Sequence, residues 1–211
     1  MKTENFVRLL AEDLPTRPAN PGVALTGWLL ATAFVAGTAF LIVAEPRPDI
    51  LESGLIPTLI KTALGALFAW GAIFGAKALT RPEAAPGKGW KRLFFVAVFV
   101  TILLAVDLAS RGSAGWLARM LGKNVWACLT IIPALALPAL AASLYALRGG
   151  ATTSPAGAGA LAGLASAGLA ILAYGLFCTE DSPAFVAIWY SLAAVIVSAF
   201  GAVLGRTLLR W

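Results

Sequence analysis

The chain has 211 residues, of which 60% are apolar and 12% charged, and its mean hydropathy is +0.86. Soluble domains run about 45–50% apolar and about 25% charged, and a globule of this size cannot hide the excess from water. The composition fits a polytopic membrane protein, excludes a disordered or fibrous chain, and leaves too little polar sequence for an independent soluble domain. Histidine is absent, which removes imidazole general-base catalysis, His-ligated haem and His-containing zinc sites. The two cysteines stand 50 residues apart, so there is no CxxC redox pair and no all-Cys metal cage, although one disulfide or thiol pair is allowed. The net charge is +6. In a membrane protein such a Lys/Arg excess marks cytoplasmic loops, and no direct nucleic-acid binding is expected.

Residues 1–15 read as a short helix, with Thr3 as N-cap, Glu4 in the first turn and Pro15 at the end. Phe6, Leu9, Leu10 and Leu14 share one face, while Glu4, Arg8, Glu12 and Asp13 are polar. So short a helix does not hold its shape alone in water. Helices that lie on a bilayer usually carry a basic polar face, and here acids match or outnumber bases. The segment is therefore expected to dock into a groove on a soluble partner. The stiff linker Thr16-Arg-Pro-Ala-Asn-Pro-Gly22 would hold it just off the membrane.

Six apolar runs follow, at 23–44, 54–76, 93–109, 125–147, 157–177 and 184–205. Each approaches the about 20 residues a spanning helix needs, and none alternates with a period of two as a β-barrel strand does. The fold expected is all-α: a six-helix membrane bundle over residues 23–205, a docking helix and linker over 1–22, and a short tail over 206–211. The first run is not a cleaved signal peptide, because a polar segment with three acids precedes it and Glu45-Pro46-Arg47-Pro48 follows it without a small-residue cleavage pattern. With the N-terminus inside, the cytoplasmic pieces hold eleven Lys/Arg and the opposite face four, which favours both termini in the cytoplasm. Trp90, Trp116, Trp126 and Trp211 fall near span ends, as interfacial aromatics do.

The pairs Gly71/Gly75, Gly159/Gly163 and Gly201/Gly205 let backbones approach closely. They suit internal packing and a homodimer equally well. The fifth run, with Gly157, Gly159, Gly163 and Gly168, is expected to be the most enclosed. Pro133 and Pro138 should bend the fourth.

Cys128 lies about one turn into the fourth run and Cys178 at the end of the fifth, both at the non-cytoplasmic face of the assigned topology. They could be a structural disulfide, two small packers at helix ends, or a redox pair. Thr179-Glu180-Asp181-Ser182-Pro183 follows directly. Asp181 or Ser182 can cap the sixth helix with Pro183 in its first turn, and two carboxylates beside a thiol also make a soft-metal or oxidant-responsive patch. The carboxylates would raise the thiol pKa and the helix N-terminus would lower it. Lys61 and Asp107 are the two intramembrane charges and could pair with each other, joining spans two and three. No P-loop, nucleophile elbow, HExxH or dinucleotide glycine pattern is present. An enzyme is not expected, and no cofactor.

The stretch from Cys178 carries Glu180, Asp181, Ser182, Pro183, Phe185, Trp189 and Tyr190 at fixed spacing, and it resembles the signature of the NrsF-type six-helix membrane anti-sigma factors. The resemblance extends to Leu9-Leu10-Ala11, Asp13 and Pro15, to Arg47-Pro48-Asp49, to Cys128, and to Gly205-Arg206 through Trp211. It thus covers nearly the whole chain. One departure is Phe177, where related sequences often carry His before the signature cysteine, so any metal-sensing role of that His cannot apply here.

The resemblance implies a negative regulator that holds an extracytoplasmic-function (ECF) sigma factor at the bacterial inner membrane. Release follows oxidative or heavy-metal stress, with Cys128 and Cys178 implicated and Glu180 and Asp181 beside them; the same cysteines are the candidates for any metal. The partner would be captured through Phe6, Leu9, Leu10, Asp13 and Leu14, helped by the basic loop of Lys77, Arg81, Lys88, Lys91 and Arg92. The signal would pass inward along the fourth span. A small-solute transporter would need a polar-lined path, a membrane thiol oxidoreductase a CxxC or quinone site, and a structural subunit neither cysteine.

Overall fold

Six helices are long and apolar enough to cross a membrane. The computed structural model describes residues 21–79, 88–112, 114–150, 152 and 154–209, with backbone only at Pro21 and 88–91. The docking segment with Phe6, Leu9, Leu10, Asp13 and Leu14 lies outside the described residues, as do Arg81, Trp211 and the side chains of Lys88, Trp90 and Lys91. The elements are α1 (Pro21–Val43), α2 (Leu55–Leu79), α3 (Lys88–Arg111), α4 (Trp116–Leu121), α5 (Val125–Leu147), α6 (Pro155–Tyr174) and α7 (Pro183–Leu208). Among the described residues there is no strand.

The spans expected from hydropathy are present, the fourth with the expected bounds, and three local differences have physical causes. The connection between the third and fourth spans contains the short helix α4, set off by Gly115 (φ 66°) and Gly122 (φ 53°), both in the left-handed region that favours glycine. The fifth span ends at Tyr174 rather than residue 177. Tight hydrogen bonds from Leu176 N to Ala173 O (3.3 Å) and Phe177 N to Tyr174 O (3.0 Å) wind the chain off the helix, so Cys178 sits in a connection and not on α6. Third, α7 is interrupted near its start by a π-helical turn, Val186–Tyr190. The wider turn lets Phe185, Val186, Ala187 and Tyr190 all bury. Through Pro133 and Pro138, α5 continues as one helix.

The bundle is organised around α6, which packs most extensively on α7 and α2 and is the most enclosed span. Lipid tails are as apolar as leucine, so contact between spans rests on van der Waals packing at small residues. The backbone of Gly159 meets that of Gly201 and Gly205, and Gly163 meets Val197 and Ser198. On the other side, Gly168 of α6 meets Gly65 and Ala69 of α2. The Gly71/Gly75 pair serves two neighbours: Gly71 faces Arg92 and Leu93 of α3, and Gly75 faces Leu161 of α6. The buried hydroxyls of Ser166 and Ser143 are satisfied within their own helices, Ser166 donating to Ala162 O (2.8 Å) and Ser143 to Ala139 O (2.6 Å). By contrast, α1 is peripheral, burying Leu25 and Leu29 while most of its side chains face outward.

A Cβ at Gly159 would run into the Gly201 backbone, whereas Gly27 on α1 has nothing within 4 Å of the same position. Gly159→Ala should therefore destabilise the detergent-solubilised chain by about 1–3 kcal/mol, the usual cost of overpacking, and Gly27→Ala should leave the thermal midpoint unchanged or slightly raised. Equal midpoints for the two variants would contradict the α6–α7 contact.

Candidate functional site

Three connections meet at one end of the bundle, residues 44–54, 112–124 and 175–182, and the polar and sulfur-bearing side chains collect there. The organising group is Arg47, whose side chain is 3% exposed. Its guanidinium donates from Nε to Asp49 Oδ1 (2.8 Å) and from Nη2 to Asp49 Oδ2 (2.7 Å). It also donates from Nη1 to Asp181 Oδ1 (2.6 Å) and from Nη2 to Asp181 Oδ2 (2.9 Å). Two carboxylates are thus held by one planar fork, the geometry arginine supplies and lysine cannot. Ser53 Oγ donates to Asp49 Oδ2 (2.9 Å). Gly54 keeps the far side open, since a Cβ there would stand 2.9 Å from Arg47 Cζ.

Lys61 reaches the same cluster from α2. Fully buried, its Nζ donates to Cys178 O (2.6 Å) and Asp181 Oδ1 (3.0 Å). Arg47 Nη1 lies 3.5 Å from the same carbonyl, and Arg47 N donates to Leu176 O (3.2 Å). Two cations face two carboxylates, so the cluster is internally neutral, the condition for keeping charge at membrane depth. The expected Lys61–Asp107 pair does not form. Asp107 of α3, fully buried, instead accepts from Arg119 Nε of α4 (3.3 Å) and from Ser182 Oγ (3.4 Å). Arg119 also donates to Gly112 O and Ala114 O (2.8 and 2.7 Å).

The electrostatics follow this geometry. Hydrogen bonds from Arg47 and then Ser53 hold the Asp49 carboxyl below the usual carboxylate range. Burial pushes Asp181 upward, but the Arg47 and Lys61 hydrogen bonds outweigh it and leave that carboxyl below its ordinary value. The same two carboxylates, Asp49 foremost, raise Arg47.

The thiols lie directly beside this cluster. Cys128 on α5 and Cys178 in the α6–α7 connection are both free and buried, and they are neighbours despite the 50 residues between them. Cys128 Sγ lies 3.4 Å from Tyr174 Oη. Tyr190 packs on Tyr174 with ring centroids 5.9 Å apart, and its hydroxyl, without a hydrogen bond of good geometry, lies against the Cys178 thiol. The hydrogen bond from Cys128 holds the Cys178 thiol below its ordinary pKa; burial opposes this, while Tyr190 and the charge of Lys61 reinforce it. The pair therefore has one member disposed toward the thiolate, the nucleophilic form.

The two signature carboxylates part company. Asp181 turns to Arg47 and Lys61, whereas Glu180 Oε1 accepts from Lys123 N (2.8 Å) in the neighbouring connection. Among the described residues no group of three or more Cys, Asp or Glu side chains is gathered to hold a metal ion; the thiols supply two sulfur donors. Ser182 takes the cap, accepting from Phe185 N (3.5 Å), with Pro183 in the first turn. Phe185 is fully buried beneath Gly122, and Trp189 Nε1 donates to Met120 O (2.6 Å). Phe177 packs its ring on Phe40 of α1 (4.5 Å). Sequence reasoning assigned no role at this site to Arg47, Lys61, Tyr174 or Tyr190. The available signals were Arg47-Pro48-Asp49 in the first connection and a lone intramembrane lysine that needed an acid.

The Asp181 carboxyl lies lower in the folded chain than in the unfolded one. Its contribution to stability is therefore complete above the ordinary carboxylate pKa of about 3.9 and is lost as pH falls through the folded value. The wild-type midpoint in detergent should exceed that of Asp181→Asn by a constant margin between about pH 8 and pH 5, and that margin should shrink below about pH 4. Asp181→Asn should lower the neutral-pH midpoint and flatten the acid decline. An acid decline as steep in Asp181→Asn as in the wild type would contradict the assignment.

Over residues 10–211 the chain matches the family described as Negative regulator of sigma F, NrsF. It is 33% identical over 221 aligned positions to "Anti-sigma-F factor NrsF" of Caulobacter vibrioides (strain NA1000 / CB15N), covering 100% of both chains. To "Probable anti-sigma-F factor NrsF" of Azospira oryzae (strain ATCC BAA-33 / DSM 13638 / PS) it is 30% identical over 224 positions, again covering 100% of both. No solved structure gives a significant match. Matched along almost its whole length, with every fixed residue of the signature given a place in the site above, the chain belongs to the NrsF family.

Proposed function

We propose that the chain is a membrane-bound anti-sigma factor that sequesters an ECF sigma factor at the bacterial inner membrane and releases it under oxidative or heavy-metal stress. Retention of a sigma factor is supported by the full-length similarity to proteins named as anti-sigma-F factors. The Lys/Arg asymmetry of eleven against four supports an orientation with both termini cytoplasmic and the thiol end outside. The partner is then captured by the amphipathic segment carrying Phe6, Leu9, Leu10, Asp13 and Leu14.

The observation that carries the sensing part is the juxtaposition of Cys128 and Cys178 from two separate elements, buried beside a cationic lysine. Two thiols become a disulfide by giving up two protons and two electrons to a thiol oxidant such as a peroxide. A soft metal ion bridging the two sulfurs would draw on the same pair. Loosening a partner about a hundredfold takes roughly 2.7 kcal/mol of coupling. A disulfide is worth about 2–4 kcal/mol, enough if it forms in one state alone.

Extraction of the tagged chain in mild detergent should bring a sigma factor with it, and Phe6→Ala/Leu10→Ala should abolish the capture. Cys128→Ser/Cys178→Ser should still capture the sigma factor and hold it through an oxidant that empties the wild type. A sigma factor absent from every sample, with a solute or quinone bound instead, would overturn the reading in favour of a transporter or thiol oxidoreductase.

A further inference from the structure

The connection that carries Cys178 is tied to α1 on both sides of the cysteine. Before it, the Phe177 ring packs on Phe40 of α1 at 4.5 Å, and Leu176 O accepts from Arg47 N at 3.2 Å. After it, Asp181 takes two hydrogen bonds from the Arg47 guanidinium, 2.6 and 2.9 Å. Arg47 follows shortly after the end of α1 at Val43, across Pro46. Its other edge is fixed by Asp49, and the close approach of Gly54 leaves it no slack. A movement of the Cys178 backbone therefore has a short and stiff route to the end of α1.

The helix at the end of that route is the one best suited to move. It is the least buried of the six spans. Part of its seam with α5 and α6 is a narrow crevice where Ala33, Ala36 and Gly37 face Leu135, Ala139, Leu169 and Ala173, so that α1 itself contributes only small side chains there. Sliding of packed helices by small steps is an established mode of conformational change. The opposite end of α1 begins at Pro21, within the stiff linker that follows the amphipathic segment.

We propose that the Arg47–Asp181 ion pair is a latch that makes α1, and not the proline-containing α5, the rod carrying the state of the Cys128–Cys178 pair to the N-terminal segment. Arg47 is then a positioning residue: it takes no part in the thiol chemistry and transmits its result. Closing a disulfide draws the two sulfurs to about 2.0 Å. The Cys178 backbone follows in part, Asp181 moves with it, and Arg47 hands the displacement to α1. The inference rests on the reading above in one respect, that the N-terminal segment is the output.

The test uses the full chain in mild detergent with diamide, an azo compound that accepts the two electrons and two protons of the thiols. Disulfide formation is followed by a mass-tag gel shift, and the output by the rate of tryptic cleavage after Arg8. In the wild type, oxidation should change that rate by about fivefold or more, the lower end of usual coupling. Arg47→Met and Asp181→Asn should form the disulfide at near wild-type rates while the cleavage rate stays unchanged, and Arg47→Lys should respond in part.

A wild-type response in Arg47→Met and Asp181→Asn, or no response in the wild type, overturns the latch. So does failure of both variants to form the disulfide, which would make Arg47 a structural support of the thiol site. Co-purified sigma factor, measured on the same samples, separates this inference from the release reading. A wild type that shows the cleavage change without releasing a sigma factor supports the latch and sinks release. Release from all variants alike does the reverse.

Discussion

A guanidinium buried at the end of a membrane bundle is tolerated only if its charge is answered and its donors are used. Arg47 meets both conditions by gripping Asp49 with one edge and Asp181 with the other. That arrangement joins the first and last connections at this end of the molecule. Lys61 completes it from α2, and in doing so fixes the Cys178 carbonyl. Lys61 holds the main chain at 178, and the thiol lies beside Cys128 and Tyr190.

The signature following Cys178 serves as the joint of the bundle. Asp181 binds the first connection, Glu180 accepts from Lys123 in the second, and Ser182 both caps α7 and reaches Asp107 on α3. Trp189 and Tyr190 leave the π-helical turn in different directions, one to Met120 O of α4 and the other onto Tyr174. A motif with so many distinct partners is constrained residue by residue. It also places the Cys178 thiol among contacts that reach α1, α2, α3, α4 and α5.

Hydropathy alone locates all six spans because the bilayer thickness dictates the length of each run. Close packing of Gly159 and Gly163 on Gly201 and Gly205 is equally readable, since only missing side chains allow such an approach. The Ser182-Pro183 cap follows from local chemistry as well. The partner of Lys61 does not: by topology Asp49, Asp107, Glu180 and Asp181 all gather at its end, and choosing among them needs the rotation of each helix. As the two intramembrane charges, Lys61 and Asp107 could have paired, whereas the structure gives Asp107 to Arg119 and Lys61 to Asp181. The π turn and α4 are similarly silent in sequence, because one is a register shift within an apolar run and the other a single turn and a half between glycines.

The account stands on energetic coupling between Arg47 and Asp181, and a double-mutant cycle measures it directly. Thermal unfolding of the detergent-solubilised wild type, Arg47→Met, Asp181→Asn and the double variant provides the four corners. The ion pair predicts that each single change lowers the midpoint and that the double variant is little worse than the poorer single. Additive losses, with the double variant falling by the sum of the two, would mean that the residues act independently and that the connections at this end are held by something else.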